Sequence, residues 1–163
     1  IIMHCTIKNI INIEKEIKSS LNYAERKSPP KIIAVSKTFP IEKIMPLIEY
    51  GHCDFGENKV QEALDKWIEI KKKKNDIRVH LIGKLQTNKV KLAVKLFDFI
   101  HSVDSIKLAN RISIEQNKIK KNIKIFIQVN IGNEEQKSGV NKRYLDELVS
   151  YCHEIKLNVI GLM

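Results

Sequence analysis

Six short β-branched runs alternate along this chain with longer amphipathic stretches, and that rhythm limits its possible folds more than any other feature. The runs are IIAVSK (32–37), CDFGE (53–57), VHLIG (79–83), FIHSVD (99–104), IKIFIQVN (123–130) and VIGLM (159–163). Their starts lie about 20 to 36 residues apart. Between them come helical patterns such as Val60, Leu64, Trp67, Ile68 and Tyr144, Leu145, Leu148, Val149, Cys152. Apolar spacing of three or four residues marks one face of a helix, while a compact β-branched run bounded by turn residues marks a strand. Six strands with five intervening helices read as consecutive βα units on a parallel sheet. Strands this apolar require cover on both faces. One further helix precedes them. Ile7, Ile10, Ile13, Ile17, Leu21 and Ala24 share a face, and Pro29–Pro30 stops the pattern. Pro46 falls inside the helix expected from Ile41 to Tyr50 and should kink it.

Two architectures satisfy this order: an open doubly wound sheet, or a (β/α)8 barrel. No GxGxxG follows the first strand, so a dinucleotide site has no support. The predicted strand ends are polar: Lys37, Glu57–Asn58, Gln86 with Asn88, Asp104 and Asn130. In a barrel the functional site gathers at that end of the strands. The 163 residues suit a single domain, 1–163, with a real core. No run reaches the roughly 18 apolar residues of a membrane span, and IIMHCTIKNI lacks the order of a signal peptide. Three widely spaced cysteines, Cys5, Cys53 and Cys152, form no CxxC pair. Neither a disulfide framework nor a zinc site is indicated, and a reduced, cytoplasmic protein is expected.

The net charge of +10 raises a basic polyanion-binding module as one function. Lysines outnumber arginines 25 to 4, and Ile, Lys and Asn make up 65 of 163 residues. Such a skew is compositional and spread along the chain, whereas phosphate-reading surfaces favour arginine forks with aromatics. Lys71 to Lys74 end a helix, where cations suit the dipole. No specific nucleic-acid partner is expected, and a salt titration of binding would separate this reading from the others.

Lys37 carries a sharper clue. An amine closing an Ile-Ile-Ala-Val run is expected to be partly buried at the mouth of a site. Burial of that kind lowers a lysine pKa and frees the amine as a nucleophile for Schiff-base chemistry. A lysine stem snorkelling to water is the plainer account of the same residue.

In register along the whole chain, AVSKTFP (34–40), FGENKVQEALDK (55–66), HLIGKLQTNK (80–89), HSVDS (101–105), QVNIGNEEQKSGV (128–140) and GLM (161–163) closely resemble one family. It is the pyridoxal-phosphate homeostasis proteins (the YggS/PROSC-like group), which share a fold with the barrel domain of alanine racemases. The resemblance implies a (β/α)8 TIM-type barrel with an extra N-terminal helix, and pyridoxal 5'-phosphate as cofactor. It makes Lys37 the lysine of the internal aldimine and places Asn58, His80, Asn130 and Met163 near the cofactor. Asn58 also suits a helix N-cap, His80 and His101 a satisfied core, Gln86 and Asn88 a turn, and Met163 a core thioether. Glu134 to Gly139 reads as the loop to the fifth helix.

The implied function is a non-catalytic carrier that buffers or delivers the cofactor to client enzymes. A racemase-like enzyme is the alternative, although racemisation needs a second base that a separate domain supplies in the racemases. The resemblance also implies a seventh and an eighth strand, with phosphate-holding loops, beyond the last residue here. On that reading only about six βα units are present, and the 163-residue chain should bind the cofactor loosely and self-associate.

Overall fold

The computed structural model describes residues 3–21, 28–132 and 138–163. Its main sheet holds six strands in the order β1-β2-β3-β4-β5-β8, every neighbouring pair parallel. The strands are β1 (Ala34–Val35), β2 (Asp54–Glu57), β3 (Arg78–Leu81), β4 (Phe99–Val103), β5 (Lys124–Ile127) and β8 (Asn158–Leu162). Helices α2 (Ile41–Tyr50), α3 (Val60–Lys73), α4 (Val90–Leu96), α5 (Ile106–Lys118) and α6 (Leu145–Glu154) make the five crossovers, and α1 (Cys5–Leu21) precedes them. Spatial order follows chain order without a reversal. A doubly wound sheet needs a switch point, so the sequential order decides for the arc of a barrel.

Every strand but β8 is shorter than its apolar run, and β8 is as long as VIGLM but starts one residue earlier. IIAVSK yields only Ala34–Val35, because β1 is an edge with a partner on one side. IKIFIQVN splits into β5 and β6 (Val129–Asn130), and β6 pairs in parallel with β7 (Val140–Asn141), a two-residue strand the periodicity did not signal. Helix α1 matches the Ile7 pattern to Leu21; Ala24 lies outside the described residues, as does most of the loop expected from Glu134 to Gly139. Helix α2 runs unbroken through Pro46.

Strand alternation divides the sheet into two faces. Towards the helices point Phe55, Val79, Leu81, Ile100, Ile125 and Ile127, each fully or almost fully buried. Phe55 lies 4.8 Å, centroid to centroid, from Trp67 of α3. The other, concave face is mixed: Asp54, Arg78 and His80 meet there, followed by Phe99, His101 and Phe126. Burying one large apolar side chain contributes about 1.5–3 kcal/mol, so the helix-facing layer holds the arc together.

Two helices end on lysines in the left-handed region, Lys120 after α5 (φ 52°) and Lys156 after α6 (φ 58°). A side chain there is strained, and glycine is not. Lys120→Gly and Lys156→Gly are each expected to stabilise the fold by roughly 0.5–1 kcal/mol, net of the unfolded-state entropy of glycine. A thermal melt followed by circular dichroism checks this; an unchanged or lower midpoint would refute it.

Candidate functional site

Because every pairing in the main sheet is parallel, all six strands end on one rim. That rim carries Lys37 after β1, Asn58 after β2, Asp104 after β4, Asn130 in β6 and Met163 after β8. Register ties the first two together. Val35 lies opposite Gly56, and Gly56 opposite His80. Lys37 and Asn58 each follow two residues beyond these paired positions, where the chain leaves the two neighbouring strands at the rim.

The backbone at Lys37 is closely constrained on both sides. Ser36 is 3% exposed. Its N–H donates to Gly56 O (2.9 Å), its hydroxyl donates to Glu57 Oε1 (2.8 Å), and its carbonyl accepts from Lys66 Nζ (2.8 Å). Glu57 Oε1 also accepts from Lys66 Nζ (2.9 Å) and Trp67 Nε1 (2.8 Å). On the other side Thr38 has φ 66°, a costly conformation for a β-branched residue. Ser36 turns towards the helices, and Lys37 follows in the turn that leaves β1, closed by Phe39 N–H donating to Ser36 O. The partial burial expected at Lys37 is not found. The residue is exposed, because β1 is an edge strand and nothing in the described sheet stands on its outer side.

Asn58 is half-buried, yet its Oδ1 is shut off from solvent and has no hydrogen-bond partner among the described residues. The β3 loop presses against it. A Cβ on Gly83 would sit 2.3 Å from Asn58 O, so only glycine lets the two strand ends approach this closely. Asn130 is half-buried in β6, opposite Asn141. Gly139 (φ 123°) passes so near that a Cβ would lie 2.6 Å from Asn130 N. Met163 continues the ladder through Ile127 O and Val129 N. Met163 is 44% exposed.

His80 sits one layer below the rim, 2% exposed. Its Nε2 lies 2.9 Å from Asp54 Oδ1, and its Nδ1 lies 3.0 Å from His101 Nε2. A carboxylate only accepts, so His80 carries its proton on Nε2, and neutral His80 then accepts from His101 Nε2–H. Burial would raise the Asp54 pKa, but hydrogen bonds from Arg78 and His80 outweigh it and hold the carboxyl at about 2. Burial, joined by His80, pushes His101 down to about 4. Burial also lowers His80, against the opposing pull of Asp54. Phe99 stacks on His80 at 4.1 Å and Phe126 on His101 at 4.3 Å. Both ring nitrogens of His80 are therefore engaged inside the core, by Asp54 and His101.

The chain matches the family described as alanine racemase, N-terminal domain, over residues 11–163. The pyridoxal phosphate homeostasis protein of Pasteurella multocida is 35% identical over 158 residues, covering 96% of this chain and 68% of that protein. The chain belongs to the pyridoxal phosphate homeostasis protein family. Among solved structures, PipY of Synechococcus elongatus without PLP superposes with a TM-score of 0.77 at 36% identity, covering 91% of this chain and 68% of that one. PipY with PLP bound gives 0.70 at 34% identity, over 91% and 70% of the two chains.

Within this member of the homeostasis family, the fold brings Lys37, Asn58, Asn130 and Met163 to one rim and leaves His80 beneath it. Gln86 opens the short 3-10 turn Thr87–Lys89 and is exposed, with Asn88 inside that turn. The turn reading holds for that pair. Sequence reasoning missed Ser36, Lys66 and Asp54. A buried-facing polar residue inside an apolar run, as Ser36 and Asp54 are, was the signal available.

Proposed function

We propose that this chain binds pyridoxal 5'-phosphate at the carboxyl-terminal rim, with Lys37 as the point of attachment, and holds it for delivery. The observation that carries this reading is an exposed primary amine, Lys37, just past the end of β1, beside the end of β2, where the enclosed Asn58 Oδ1 has no partner among the described residues. Pyridoxal phosphate supplies an aldehyde that condenses with a primary amine, with loss of water. Lys37 provides the amine, and its exposure leaves it open to an incoming aldehyde. Asn58 carries an unsatisfied acceptor beside the rim, which would meet a ligand hydroxyl or ring N–H once its side chain turns outwards. Asn130 and Met163 complete the rim from the far strands. The stacked His80 and Phe99 form a rigid floor below. The name of the Pasteurella relative and the PLP bound to PipY support the same reading.

A carrier fits this geometry better than a racemase. Racemisation requires a second positioned base facing the lysine. The histidines on the concave face, His80 and His101, are buried and hydrogen-bonded to each other. Enzymes that use the cofactor are the clients of such a carrier. No helix among the described residues is long and apolar enough to cross a membrane. The free thiols Cys5, Cys53 and Cys152 suit the reducing cytoplasm.

Equilibrium dialysis should find one saturable pyridoxal phosphate site per chain, with a visible absorption band. Cofactor-loaded protein should release no D-alanine from L-alanine above the uncatalysed rate. Absence of saturable binding would overturn the whole reading. Turnover near ~1 per second, within the ordinary enzyme range, would overturn the carrier half alone.

A further inference from the structure

Helix α3 reaches across the edge of the sheet to hold the residue just before Lys37. Lys66 and Trp67 are neighbours on α3, 30 and 31 positions along the chain from Ser36, and neither lies on the rim. Between them and Ser36 stands Glu57, 1% exposed, whose Oε1 takes all three donors: Ser36 Oγ, Lys66 Nζ and Trp67 Nε1. Lys66, itself only 12% exposed at its side chain, donates a second bond to the Ser36 carbonyl. Every polar atom of Ser36 is thus engaged, and the next residue but one, Thr38, is held at φ 66°.

Two features mark this as more than ordinary packing. The partners are charged, and burying an ion pair is a poor route to stability compared with apolar residues of like volume. The arrangement is also lopsided: Glu57 Oε2 is enclosed with no hydrogen-bond partner among the described residues, which costs stability. A costly, rigid polar cluster next to a strained backbone is the expected signature of a positioned group. The residue it positions is a lysine just past an edge strand that has no neighbour on its outer side among the described residues.

We propose that Glu57 and Lys66, acting through Ser36, are positioning residues that fix the direction from which the Lys37 amine meets an aldehyde ligand. Neither touches the ligand. The inference rests on Lys37 being the attachment point. Its chemistry is geometric: a free lysine stem samples many rotamers, and a displacement of about 1 Å at a reacting group can slow a reaction roughly a hundredfold.

The test compares wild type with Ser36→Ala and with the double variant Glu57→Gln/Lys66→Met, which removes both charges together. Each protein is exposed briefly to pyridoxal phosphate, reduced with borohydride and mapped by peptide mass spectrometry. In parallel, each is methylated with formaldehyde and a mild reductant, which reports amine accessibility without a shaped site. The expected result is a roughly ten- to hundredfold slower pyridoxal phosphate adduct at Lys37 in both variants. Formaldehyde methylation of Lys37 should be unchanged, and the circular-dichroism melt cooperative. If the double variant does not fold, Ser36→Ala decides, because it deletes one hydroxyl and keeps the Lys66 bond to the carbonyl. Wild-type adduct rates in the folded variants would overturn this inference alone, as would an equal fall with both aldehydes. A wild-type adduct on a lysine other than Lys37 would overturn the proposed function, and this inference with it.

Discussion

Lys37→Ala is expected to abolish covalent retention of pyridoxal phosphate while leaving the fold intact. Lys37 is exposed at the end of an edge strand, so its removal opens no cavity, and substitutions at such positions usually change stability by no more than about 0.5 kcal/mol. Its backbone is set by Ser36 and Thr38, and alanine keeps that backbone. Wild type treated with pyridoxal phosphate and borohydride should yield one modified peptide, containing Lys37. The variant should yield none at matched exposure, with the same melting curve. Lys37→Arg should behave like Lys37→Ala, because a guanidinium keeps the charge but is not a nucleophilic amine. An adduct that persists in Lys37→Ala, carried by any of the other lysines, would remove Lys37 from the site.

Asp54→Ala is expected to cost about 3 kcal/mol of stability, since deleting one partner of a buried pair strands the other. Arg78 reaches solvent and can be rehydrated, but His80 Nε2–H cannot. Against a total stability of about 5–15 kcal/mol, such a loss is easily measured by urea unfolding. The same cluster predicts how stability depends on pH. Folded His101 titrates at about 4, against an ordinary value of 6.5. Between those limits the unfolded chain binds more protons than the folded one, so stability falls as pH falls from about 6.5 to about 4. At about 1.4 kcal/mol per unit, the loss approaches 3 kcal/mol. Asp54, held at about 2 against 3.8, extends the decline to lower pH, because its ionised form is the one the fold stabilises. Trp67 is the single tryptophan and is fully buried, so its fluorescence reports unfolding. His101→Phe should flatten the profile between pH 6.5 and 4. A wild-type profile that is already flat there would refute the assignment.

Much of the architecture was legible before any coordinates. Helix α1 as far as it is described, α2, α3 and α6 fall where the sequence put them, α4 and α5 fill the two remaining gaps between strands, and each strand of the main sheet lies in or beside its β-branched run. Both signals are local, because each element must bury one face wherever it ends up. Boundaries were less legible. β1 shrank to two residues because strand length depends on having partners, and among the described residues Ile32 and Ile33 have no ladder on their outer side. The short β7 carried no periodic signal at all.

The site divides along the same line. A lysine closing an apolar strand and an asparagine after the next one are visible in the chain. Parallel strands must then bring them to one rim, so Lys37 and Asn58 follow from sequence and fold class together. Whether a side chain is free once it arrives is a different matter. His80 read in HLIG either as a neighbour of the cofactor or as a satisfied core histidine, and Asp54 and His101, from strands 26 and 21 residues away, take both its nitrogens. Ser36 looked like one more residue of a strand, but Glu57 and Lys66 make it the anchor of Lys37. Sequence alone determined the order of the βα units, the single parallel rim and the amine placed on it. Only the tertiary structure decided which polar groups remain available there, because a hydrogen bond is spent on whatever partner the fold brings within about 3 Å, and no local pattern records that partner.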